Sequence, residues 1–145
     1  MSKVLLLEDD DLYAEVIEEF LALAGYEVTL TTSFEEAHAA CETDQFDVVV
    51  SDLFIVKQGS LSHRGGYSLI QKLREPEREG HPAWWRTVPV LAITGGLGTD
   101  YNAELSNERV LDRARLVGAD AMLQKPFSQA ALVDAVASLL EPTNA

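Results

Sequence analysis

The chain has 145 residues, 47% of them hydrophobic and 24% charged, and carries a net charge of -13 at pH 7. That length fits one domain with an ordinary core, and the charge argues against gripping nucleic acid by phosphate neutralisation or lying on an anionic membrane. A single cysteine, Cys41, excludes an intramolecular disulfide and a cysteine-cluster metal site.

In chain order, residues 3–7 read as a short buried strand that breaks directly into Glu8-Asp9-Asp10. The N-terminus has neither a signal-peptide pattern nor a membrane span, so the cytoplasm is the expected compartment. Helical spacing follows from about Asp11 to Ala24, with Leu12, Val16, Ile17, Phe20, Leu21 and Leu23 apolar and Gly25 as a C-terminal cap. Asp10 and Asp11 read as acids favoured at a helix N-terminus. Residues 26–30 alternate like a strand, and Ser33 with Glu36 forms a capping-box pattern for a helix to about Thr43. Residues 46–51 are a strand buried on both faces, broken by Asp52. An irregular stretch at 55–66, a short amphipathic helix and a second irregular stretch at 76–87 come next. A strand at 88–93 breaks into Thr94. A long connection, a helix from about Leu105 to Val117, a short strand at 120–123 and a helix capped by Ser128 complete the chain.

Strand and helix thus alternate five times, which predicts a doubly wound α/β fold with a parallel sheet covered on both faces. In such sheets the strand carboxyl ends meet at one edge, and ligands bind there. Glu8, Asp9, Asp52, Thr94 and Lys125 all sit at predicted strand ends. Clustered carboxylates repel one another, and a divalent cation relieves the repulsion. An all-oxygen donor set favours Mg2+ over zinc. Lys125 then supplies a point charge for a phosphate, and Thr94 a hydrogen-bond donor.

Glu8-Asp9, Asp52, Thr94 and Lys125-Pro126, together with GYEV at 25–28, GAD at 118–120 and KPF at 125–127, resemble a response-regulator receiver domain of the CheY-like family. The resemblance covers nearly the whole chain. It implies a five-stranded parallel sheet of order 2-1-3-4-5, flavodoxin-like, in a single receiver domain over 1–145 with no output domain. It implies that Asp52 takes a phosphoryl group from a histidine kinase or phosphotransfer protein. Mg2+ would be held by Asp9, Asp52 and the Phe54 carbonyl, with Glu8 acting mainly through water. Lys125 would pair first with Asp52 and then with phosphate, Thr94 would turn its hydroxyl to the phosphoryl oxygen, and Lys125-Pro126 would be cis. The chain would be a switch rather than an enzyme, signalling to a downstream protein as a monomer or weak dimer.

Three departures stand out. Met122 occupies the place, three before the lysine, where the family carries an aromatic switch residue. The segments 53–66, 75–88 and 95–104 look extended. Gly95-Gly96 follow Thr94, which suggests easier entry for water or a phosphodonor. Met122 and these loops also motivate an alternative, a phosphorylation-independent interaction domain on the same fold. A haloacid-dehalogenase-like phosphatase would need an aspartate two positions after Asp52, where Phe54 stands. Trp84-Trp85 invites a binding reading, although two adjacent residues do not easily both face inward. His38, His63 and His81 have no metal-site spacing.

Overall fold

The structure, a computed structural model, describes residues 2–53, 55–57, 60–62, 66–75, 81–94 and 118–141. Phe54, His63, Gly95-Gly96, the connection at 95–104 and the helix expected at 105–117 lie outside the described residues. The elements are β1 (Lys3–Leu7), α1 (Asp11–Leu23), β2 (Glu27–Thr31), α2 (Phe34–Thr43), β3 (Val48–Asp52), β4 (Ile55–Lys57), β5 (Ser60–Ser62), α3 (Gly66–Arg74), a 3-10 turn (Ala83–Arg86), β6 (Val90–Thr94), β7 (Ala121–Gln124) and α4 (Gln129–Leu140).

Five parallel strands form one sheet in the order β2-β1-β3-β6-β7, the 2-1-3-4-5 arrangement read from the sequence. The period-two alternation of side chains divides the core in two. Leu5, Leu7, Val49, Val90 and Ala92 pack toward α2, α3 and the 3-10 turn. Val4, Leu6, Val48, Val50, Leu91 and Ile93 pack toward α1 and α4. No helix among the described residues is long and apolar enough to cross a membrane.

The caps follow the sequence signals. Asp10 accepts hydrogen bonds from the backbone N–H groups of Leu12 and Tyr13, and Ser33 from that of Glu36. Glu36 reaches back to Thr32, whose N–H and hydroxyl both donate to it, rather than to the backbone of the cap itself. One expectation needs correction. The segment read as irregular after Asp52 contains an antiparallel pair, β4 with β5, in register Ile55↔Ser62 and Lys57↔Ser60. Helix α1 buries only Ala14, Ile17 and Leu21, while Leu12, Val16 and Leu23 are exposed. Its apolar residues span more than one face, and the sheet covers only one.

At the amino edge of the sheet, Arg74 ties four segments together. Its guanidinium donates to the carbonyls of Gly118, Trp85 and Val88 and to the Asp120 carboxylate, at 2.6–3.2 Å. Asp120 in turn accepts from the Val90 N–H at 2.8 Å. Trp85 is buried and donates its indole N–H to the Cys41 carbonyl. Trp84 packs against the same core, edge-on to Phe46. Both tryptophans therefore serve packing, because the 3-10 turn presents consecutive residues in different directions while the chain lies flat on the core. His38 is stacked on Phe34 and edge-on to Trp85.

Gly118 has φ +109°, and an added Cβ would lie 2.7 Å from Arg74 Cγ; Gly25 has φ +97° and open space around it. Gly25→Ala should therefore cost only backbone strain, roughly 1–2 kcal/mol. Gly118→Ala should cost measurably more in urea unfolding, because it also displaces Arg74. Burial, reinforced by Glu42, pushes the Cys41 thiol up to about 12 from 9.0. The native thiol stays protonated where an unfolded one ionises, so native stability should fall as pH rises above 9.0 toward about 12. At pH 8 a thiol reagent should label Cys41 only after denaturant is added.

Candidate functional site

Glu8, Asp52, Thr94 and Lys125 stand at or just past strand ends, where ladder-type backbone bonds continue the pairing. The Glu8 N–H donates to the Thr31 carbonyl, the Leu53 N–H to Ile93, and the Lys125 N–H to Thr94, at 2.8–3.0 Å. Asp52 ends β3 opposite Ile93, and Thr94 ends β6 opposite Gln124. The parallel register thus converts sequence positions 117 residues apart into neighbours.

Glu8, Asp9 and Asp52 each present a carboxylate oxygen, and these atoms lie within 4.8 Å of one another. Glu8 has no solvent exposure at all, and Asp52 and Thr94 are each 5% exposed. Lys125 completes the group. Its Nζ lies 2.7 Å from Glu8 Oε2 and 3.4 Å from Asp52 Oδ2. Burial pulls the Lys125 ammonium down, but the attraction of Asp52 and Glu8 outweighs it and leaves the pKa raised. Lys125–Pro126 is cis. Asp10 belongs to the helix cap, and its N–H donates to Glu8 Oε1 at 3.1 Å.

The structure therefore brings together Glu8, Asp9, Asp52 and Lys125, with Thr94 at the end of the adjoining strand. The Phe54 carbonyl lies outside the described residues. The donor set is entirely carboxylate oxygen, close enough to share one ion, and suits a hard divalent cation such as Mg2+. One site residue escaped the sequence reading. Tyr13, in the first turn of α1, places its ring centroid 4.3 Å from Lys125 Nζ. An aromatic one turn beyond the acidic cluster was the available signal.

Residues 4–137 match the family model described as the response regulator receiver domain. The regulatory protein VanRB of Enterococcus faecalis is 28% identical over 99% of this chain and 54% of its own length. The chain thus spans about half the length of that curated relative. A response regulator structure from Chloroflexus aurantiacus superposes with a TM-score of 0.75 at 28% identity, covering 96% of this chain and 97% of that one. The receiver domain of a sensor histidine kinase from Pseudomonas aeruginosa has a TM-score of 0.72 at 27% identity, covering 96% and 97%. That structure holds a magnesium ion in its active-site cleft.

Removing the ammonium should expose how much the buried Glu8 depends on it. Lys125→Met is expected to lower stability at pH 7 by about 3 kcal/mol, since it strands a buried charge. Adding Glu8→Gln to that variant should recover part of the loss in chemical denaturation. Simple additivity of the two substitutions would show that the pair is not coupled.

Proposed function

The chain belongs to the response-regulator receiver family, and from that premise we propose that Asp52 is the phosphoacceptor of a protein-contact switch. The observation that carries this reading is the joint placement of Asp52, two further carboxylates and Lys125 at one strand-end edge. The proposed phosphodonor is the phosphohistidine of a histidine kinase or phosphotransfer protein.

In the proposed reaction an Asp52 carboxylate oxygen attacks phosphorus and forms the new P–O bond. The bond from phosphorus to the donor breaks, and the departing group keeps its electron pair. Asp9, Asp52 and the Phe54 carbonyl, with Glu8, would hold Mg2+, which would supply positive charge to offset the repulsion between the carboxylate and the phosphoryl group. Lys125 loosens from Asp52 and pairs with the phosphoryl oxygens, while staying within reach of Glu8. Thr94 donates its hydroxyl to a phosphoryl oxygen. The phosphorylated form then shifts the balance between two conformations, and a downstream protein reads the difference.

Met122 favours a second reading. It lies on the α2–α3 face of β7, partly buried, and lacks the ring of an aromatic switch residue. A phosphorylation-independent interaction domain would keep the fold and dispense with the transfer.

Incubation with acetyl phosphate and Mg2+, followed by intact mass, separates the two. A single phosphate adduct that requires Mg2+ and is missing in Asp52→Asn is the expected result. Absence of the adduct, with no Mg2+ binding by calorimetry, would favour the interaction domain.

A further inference from the structure

The contact between Tyr13 and Lys125 is not explained by fold or capping alone. An ammonium has three N–H donors, and here two of them face carboxylates, Glu8 at 2.7 Å and Asp52 at 3.4 Å. The face of the Tyr13 ring lies 4.3 Å from the same nitrogen. At that distance the ring quadrupole attracts the cation, and the more so because the Lys125 side chain is only 12% exposed.

The ring itself is held from two sides. Tyr13 packs edge-on to Phe127, with centroids 5.7 Å apart, two residues beyond Lys125. Its backbone N–H donates to Asp10 Oδ1 at 3.2 Å. Asp10 in turn donates its N–H to Glu8 Oε1, while Glu8 Oε2 accepts from Lys125. Glu8, Asp10, Tyr13 and Lys125 therefore form a closed circuit, in which the N-terminal cap of α1 fixes an aromatic face against the ammonium.

We propose that Tyr13 is a positioning residue that holds the Lys125 ammonium toward Glu8 and so keeps its pairing with Asp52 the weaker of the two. The inference rests on the reading of Asp52 as phosphoacceptor. A carboxylate tightly paired with an ammonium is a poorer nucleophile, because its electron density is engaged and the cation must be displaced before attack. With the ring in place, the ammonium has a third attractive partner, one tied through Asp10 to the Glu8 carboxylate. Without it, the ammonium is free to move between the two carboxylates and close the 3.4 Å gap.

Three variants and one spectroscopic readout test this. Tyr13→Leu and Tyr13→Met remove the π face while keeping apolar bulk, and Tyr13→Phe keeps the face. Phosphorylation of Asp52 by acetyl phosphate with Mg2+ should slow about 3- to 10-fold in the Leu and Met variants and stay near wild type in Phe. Urea midpoints should not follow that order. In the wild-type and Phe proteins, the Lys125 ε-CH2 protons should be shifted upfield by the ring current in carbon-edited NMR, and the shift should vanish in Leu and Met. The NMR arm needs no phosphodonor. If wild-type protein takes no phosphate and binds no Mg2+ but shows the shift, the phosphoacceptor reading fails and the contact stands. If wild-type Lys125 shows no ring-current shift, or Tyr13→Phe slows as much as Tyr13→Leu, the positioning role is overturned. Should both apolar variants unfold, the wild-type shift and the Phe rate still decide it.

Discussion

A carboxylate with no exposure to water exists in this protein because an ammonium sits 2.7 Å from it. Glu8 is wholly buried. An unpaired charge in such a place would either take up a proton or unfold its surroundings. Lys125 prevents this, and it arrives from the far end of the chain only because β7 pairs in parallel with β6 and β6 with β3. The sheet and the site are therefore one construction. The ladder brings the charges together, and the opposite charges make that convergence tolerable. Three carboxylates against one ammonium still leave the cluster negative, which gives a divalent cation reason to bind.

Much of this was legible in the sequence for a local reason. An apolar run that stops at an acid marks both a strand and its end, so Glu8, Asp52 and Thr94 declared their positions without knowledge of the fold. Ser33, Ser128 and Gly25 declared helix ends in the same way, through side-chain acceptors and a positive φ. What the sequence hid depends on tertiary neighbours. Leu12, Val16 and Leu23 carry the same apolar character as Ile17 and Leu21, and only the position of the sheet separates exposed from buried. The β4–β5 pair is three residues on each side, too short for its alternation to rise above loop composition. Trp84 and Trp85 look like a binding patch until a 3-10 turn lays both on the core.

The two edges of the sheet are built on opposite principles. At the amino edge, Arg74 spends its donors on three carbonyls and a carboxylate, joining α3, the 3-10 turn and the entries to β6 and β7. Every one of those acceptors belongs to the protein, and most are backbone. That arrangement fixes geometry and offers nothing to a ligand. At the carboxyl edge, Lys125 is shared between two side chains at unequal distances, with a ring as its third neighbour. Such a group can exchange one partner for another at small cost.

That contrast decides where a change of charge at Asp52 is felt. The amino ends of β6 and β7 are clamped through Asp120 and Arg74, so on the proposed reading a new charge would be accommodated at their carboxyl ends, where Thr94 and Lys125 share a backbone hydrogen bond of 2.8 Å. Any displacement of Thr94 acts on the same strand pair that places Met122 opposite Ala92. Methionine adjusts its three torsions within a gap, whereas an aromatic ring must turn as one body. A shift at this strand end would therefore meet an adaptable thioether rather than a ring that turns as one body.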